Sequence, residues 1–213
     1  YNNTSILAPR IGASYLLTSG TKINAAIGNY YQTPYYWMLM NPNNNFPLRH
    51  SYTKQQVLGL EHLFADDIKG TIEIYNKSYH QKPVSISDTT SSILDARLGF
   101  SDFGEGRARG VEIFLQKKFA REWYGTLSYS YSKAEGVDPR DGKGNYYPWD
   151  FDFINGFTLV GGYKFNFRDS PWYLEFREYA IFPYISWIPF MVSDQLEISF
   201  RYQYSGGRPF TPK

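Results

Sequence analysis

The chain has 213 residues, 19% of them aromatic, a formal net charge of +2 and no cysteine. A disulfide scaffold and a thiolate metal site are thereby excluded, and the near-neutral balance argues against a nucleic acid or other polyanionic partner. Nowhere do 18 apolar residues run together, which excludes a transmembrane helix but not a membrane, because β-barrels cross with alternating segments.

Period-two alternation predicts about eight strands, near 9–17, 22–32, 55–64, 68–79, 109–119, 123–132, 157–165 and 196–204. Each has one apolar side. In chain order the expected lipid-facing set is Ile23, Ile27, Leu58, Leu60, Ile72, Ile74, Val111, Ile113, Leu115, Leu127, Ile198 and Phe200. Tight turns join these strands near 19–20, 65–67 and 120–122, whereas 33–54, 80–108 and 133–156 are long links. Links beyond about 12–15 residues are uncommon in compact domains. The short-long alternation fits an outer-membrane barrel, with short periplasmic turns and long outer loops. Eleven residues at about 3.3 Å each, tilted about 45°, rise roughly 26 Å, close to the apolar band of such barrels.

A charge at mid-membrane on the lipid side costs about 2–4 kcal/mol, so strand charges should gather on the other side. Lys22, Glu61, Glu73, Lys77, Glu112, Glu197 and Arg201 follow that parity; Arg109 is grouped with them as lumen-facing, and Arg107 and Arg109 are expected to pair with Glu112. Rings at strand ends, among them Tyr31, Trp123, Tyr131, Tyr163, Phe165 and Tyr204, suit an interfacial girdle. Segment 166–195 interrupts what should be a short turn. Ser170 before Pro171 is a helix start, Trp172, Phe176 and Ala180 share a face, and Pro183 and Pro189 stop a long helix. The insert reads as an amphipathic helix with an aromatic segment at the inner interface; a helix covering other protein is the alternative.

Catalytic sets are thin. His50, His62 and His80 are the only histidines, and His62 lies on the lipid-side parity near a turn. Asp138, Asp141, Asn145, Asp150 and Asp152 carry calcium-type oxygens without EF-hand spacing, so turn formation explains them better. No phosphate-binding loop, dinucleotide fingerprint or nucleophile elbow occurs, and neither enzymatic activity nor a cofactor is expected. Recognition belongs to the loops, where Tyr35, Tyr36 and Trp37, and Tyr146, Tyr147 and Trp149, offer flat amphipathic faces; loop packing is the plainer role for the same rings.

The ordered pieces "LAPRIGASYLL", "TKINAAIGNYYQTP", "GLEHLF" before "IEIYNKSY", "GRARGVEIFLQKKF" before "WYGTLSYSYSKAEG", and "EISFRYQYSGGRPFTP" resemble consecutive hairpins from the later barrel of TonB-dependent outer-membrane receptors. Two departures are Asn155 and Gly156, where such receptors often carry a His, and the insert itself. The resemblance implies an all-β transmembrane barrel of roughly 22 strands, of which this chain supplies part of one domain, with the N-terminal plug outside it. It also implies an active transporter that imports a scarce nutrient (siderophore, vitamin, oligosaccharide or peptide) in the outer membrane of a Gram-negative bacterium. The implied partners are lipid, plug and TonB, with a surface lipoprotein or another membrane-complex subunit as a further expectation. An open array would leave unpaired edges in lipid, so a fragment is expected, with a complete eight-stranded structural or adhesion barrel as the alternative.

Overall fold

A computed structural model describes residues 5–44, 47–85, 99–120, 122–137, 144–167, 170–178 and 195–207. The described residues form one antiparallel sheet of nine strands: β1 Arg10–Thr18, β2 Thr21–Gln32, β3 Ser51–Ala65, β4 Ile68–Ser85, β5 Phe100–Ala120, β6 Trp123–Val137, β7 Tyr146–Pro148, β8 Asn155–Asn166 and β9 Gln195–Ser205. Neighbours in sequence are neighbours in the sheet, except that three-residue β7 pairs with the far end of β6, and β8 pairs with the rest of that strand. The path ends at β1 and β9, which do not pair with each other, so the sheet is open.

All eight expected strands form, and most run further than alternation indicates, by six residues at the end of β4 and nine at the start of β5. These extensions lie at the end of the sheet that carries the long connections. The short turns are tight as expected: Glu122 takes the left-handed conformation (φ 74°) in the β5–β6 turn, and the Gly20 carbonyl accepts the Leu63 amide at 2.7 Å. A one-turn helix, α1 Tyr36–Leu39, which periodicity does not foreshadow, lies in the first long connection. Helix α2, Pro171–Glu178, begins where Ser170 and Pro171 predict. Trp172 meets the Phe167 ring at 5.6 Å. The Phe176 side chain and segment 179–194, with Ala180, Pro183 and Pro189, lie outside the described residues.

Register fixes the faces, since paired residues of an antiparallel ladder point the same way. One continuous rung runs Tyr15, Ile23, Leu60, Ile72, Ile113, Tyr129, Phe157, Tyr204. The next rungs add Leu58, Ile74, Val111 and Tyr131 on one side and Leu115, Leu127, Leu159 and Tyr202 on the other. All twelve apolar residues expected on one side are there. The opposite rung runs Lys22, Glu61, Thr71, Phe114, Ser128, Thr158, Gln203.

Among the described residues no second layer packs on the apolar face. Ile198 and Phe200 are each 56% exposed and Ile27 54%, while the buried apolar residues among those described are Met38, Phe100 and Ala108. A water-soluble sheet buries such a face against another element; this one presents it.

Candidate functional site

At the long-connection end two small assemblies of side chains stand on the sheet. The first joins the connection between β2 and β3 to the start of β5. Met38 and Phe100 are buried together with 4% and 1% exposure, and the Trp37 ring meets Phe100 edge-on at 5.4 Å. Asn44 ties the two segments: its Nδ2 donates to the Met38 carbonyl at 2.7 Å, and its Oδ1 accepts the Phe100 amide at 2.8 Å. Gly99, at φ 87°, lies so close to the Asn43 carbonyl that a Cβ there would collide with it. Beyond it, Arg49 forks onto Asp102, with Nε at 2.6 Å from Oδ2, Nη2 at 3.3 Å from Oδ1, and the Arg49 amide at 3.2 Å. These bonds from Arg49 hold the Asp102 carboxyl below the usual carboxylate range. Tyr35 and Tyr36 remain exposed on this platform.

The second assembly centres on Trp149. Its amide donates to the Ala134 carbonyl at 3.0 Å, its ring meets Tyr79 at 5.1 Å, and the indole lies against Gly106 and Gly136, where any Cβ would collide with it. The glycines are therefore required by close approach of a ring. Buried Asp152 accepts the Ala134 amide at 2.8 Å, satisfying a backbone donor of β6 where β7 stops. That engagement suits the turn-forming reading of Asp152; Asp138 and Asp141 lie outside the described residues. Tyr146 and Tyr147 pair with Val137 and Gly136, so the two rings belong to opposite faces, and Tyr146 lies under the Arg107 guanidinium at 4.0 Å.

The polar face carries charge at intervals. Glu61 binds Lys22 at 3.2 Å and Lys69 at 3.3 Å, Tyr124 donates to Glu197 at 2.9 Å, and Arg201 donates to Gln203 at 3.0 Å. Lys77 sits over the Tyr75 ring at 4.6 Å. Glu73 and Glu112 stand directly opposite each other across β4 and β5.

Arg109 departs from expectation. It pairs in register with Asn76 and Lys133 and so shares the face of Val111 and Ile113, not that of Glu112. The reason is parity: 109 and 111 are two apart on an unbroken strand. The expected pairing with Glu112 is therefore replaced. Arg107 binds Glu135 at 2.8 Å and Arg109 donates to Asn76 at 3.1 Å. Sequence reasoning also misses Lys117, which is on the apolar face at the short-turn end, 8% exposed. Its ammonium reaches Asp67 at 2.8 Å and three turn carbonyls, of Lys118, Ala120 and Trp123. Spacing to Asp67 and the turn was the available signal.

His62 bonds to Thr21 at 2.8 Å, His50 to Thr33 at 3.1 Å, and His80 stacks on Tyr52 at 4.8 Å, so the three rings are apart in role. Among the described residues no cluster of three or more His, Asp or Glu could hold a metal.

The geometry matches known proteins. The family described as TonB dependent receptor-like, beta-barrel, matches residues 1–212. Among solved structures, the ferric-catecholate import receptor Fiu from Escherichia coli K12 is 18% identical with a TM-score of 0.56, over 76% of this chain and 22% of that one. The pyoverdine outer membrane receptor FpvA from Pseudomonas aeruginosa PAO1 is 14% identical with a TM-score of 0.59, over 74% and 22%. The FrpB iron transporter from Neisseria meningitidis is 12% identical with a TM-score of 0.58, over 79% and 25%. This chain thus spans about a quarter or less of the receptors it matches. No curated protein sequence matches it. Taken with the open antiparallel sheet and its exposed apolar face, the match over nearly the whole length places the chain in the beta-barrel family of TonB-dependent receptors, proteins of the Gram-negative outer membrane.

Proposed function

We propose that this chain is part of the wall of a receptor that imports a scarce nutrient across the outer membrane, with energy delivered through TonB. The observation that carries this reading is the segregation of faces: twelve aliphatic and aromatic positions on one side over consecutive rungs, and seven of eight predicted strand charges on the other. In lipid the backbone must be satisfied within the sheet and the exterior must be apolar, and both conditions hold across the paired strands. The apolar face is the lipid side and the polar face lines the interior.

A plug would fit that interior. Like charges directly opposite on a sheet repel, so Glu73 and Glu112 call for a cation from another part of the receptor. Ligand capture falls to the long-connection end, where exposed Tyr35 and Tyr36, and the ledge of Tyr79 and Trp149, supply flat rings on a rigid base. Siderophore-type cargo is favoured within the wider set of vitamins, oligosaccharides and peptides, because the matched receptors handle catecholate, pyoverdine and iron. The barrel wall itself does no covalent chemistry.

The test is uptake of radiolabelled ferric siderophores by cells expressing the intact receptor. Uptake that requires both receptor and TonB is expected; binding without TonB-dependent accumulation for every cargo class would instead favour a structural or adhesion barrel.

A further inference from the structure

The net charge of +2 hides a local imbalance on the apolar face. Directly beyond the rung of Leu58, Ile74, Val111 and Tyr131 come Gln56, Asn76, Arg109 and Lys133, and beyond those Lys54, Ser78, Arg107 and Glu135. Four cations therefore occupy two successive rungs with one carboxylate. Glu135 holds Arg107 at 2.8 Å and Lys133 at 2.5 Å, while Arg109 and Lys54 have no carboxylate within ion-pair distance among the described residues. Arg109 leans on neutral Asn76, which donates in turn to Gln56 at 3.3 Å. All residues of these two rungs except Lys54 and Ser78 line, with Val111 and Tyr131, a depression of about 580 Å³.

Among the described residues the opposite rim of the same face has no such surplus. Its cation, Lys117, is folded into the turn and neutralised by Asp67. Ordinary snorkelling at a membrane boundary would place free cations on both rims. Among the described residues the surplus is confined to the end with the long connections, which the proposed orientation puts outside the cell.

We propose that this depression binds the phosphorylated headgroup of the outer-leaflet glycolipid. An amphiphile with an anionic head needs an apolar wall continuous with a basic recess. Ile74, Val111 and Tyr131 would take the acyl chains, Arg109 and Lys133 the phosphate, and the amides of Gln56 and Asn76 the sugar hydroxyls. The site rests on the membrane reading given above and adds to it a specific ligand on the outer wall, away from the nutrient path.

The experiment is native mass spectrometry of the intact receptor incubated with phosphorylated glycolipid, with the same lipid after enzymatic dephosphorylation, and with inorganic phosphate. Preferential retention of the phosphorylated lipid is expected, falling about fivefold in Arg109→Gln and further when Lys133→Gln is added, in line with the usual strength of one basic residue at an anionic surface. Lys118→Gln, at the short-turn end and next to Lys117 on the opposite parity, should leave retention unchanged. Equal retention of both lipids, an unaffected Arg109→Gln, or inorganic phosphate binding as well as the lipid would overturn the proposal. Should the double variant fail to assemble, the single variant and the dephosphorylated lipid still decide. A bimane at Ile113→Cys, quenched by brominated acyl chains, reports the underlying reading separately. Quenching without phosphate selectivity removes this inference alone, and absence of quenching removes the membrane assignment beneath it.

Discussion

The middle of the sheet and its long-connection end are made of the same strands, yet they are stabilised differently. In the middle, rungs such as Ile23, Leu60, Ile72 and Ile113 face Lys22, Glu61, Thr71 and Phe114 across the backbone, and packing is between neighbours on one surface. At the long-connection end the apolar face turns polar, and specific contacts take over: the Arg49 fork on Asp102, the Asn44 bridge, the indole of Trp149 over two glycines. A face that meets one solvent needs only the right polarity. A surface that has to hold loops in place needs individual partners.

That contrast can be broken most severely at the centre. Ile113→Arg in the intact receptor should cost about 2–4 kcal/mol in urea unfolding from lipid vesicles, whereas Ser128→Arg on the other face should be nearly neutral. Equal costs would erase the distinction between faces. At the long-connection end, Gly136→Leu must displace the Trp149 indole, at about 1–3 kcal/mol for overpacking, with a red-shifted Trp149 emission as the local readout. Lys117→Met tests the one buried cation of the apolar face among the described residues. It strips Asp67 and three carbonyls of their donor, and a loss of about 1–3 kcal/mol is expected despite the gain in apolarity.

The smallest effect concerns the loop anchor. Arg49 is largely exposed, so Asp102→Asn should cost about 1 kcal/mol or less. Because folding lowers the Asp102 pKa, the anchor's contribution is fully present above the unfolded carboxylate value, about pH 4, and is lost as pH falls through the lower folded value. Hydrogen exchange at the Arg49 amide should therefore accelerate only in acid, and Asp102→Asn should abolish that acid dependence.

Sequence patterns revealed the middle of the sheet because each strand there separates two environments, and period two records the difference. Where β4 continues to Ser85 and β5 begins at Phe100, that difference vanishes and the alternation with it. Most of "FSDFGEGRARG" falls within the expected long link 80–108, yet it is strand: Gly106 admits Trp149, and Gly110 admits the Tyr75 hydroxyl. Helix α1 is too short to leave a period, and β7 likewise. Arg109 shows the opposite failure, in which chemical expectation for an arginine overrode arithmetic that already placed it beside Val111. Of the ring clusters, residue type marked Trp149 and Trp37, but only register and contacts separate Tyr146 from Tyr147.

The most direct test is a nitroxide scan along β5 from Val111 to Gln116 in the intact receptor in bilayers, one cysteine at a time in a chain that has none of its own. Oxygen should reach Val111, Ile113 and Leu115 and a water-soluble nickel chelate Glu112, Phe114 and Gln116, in strict alternation. Accessibility to both probes that ignores parity, or the chelate favouring Ile113, would contradict a wall with lipid on one side and a wet interior on the other.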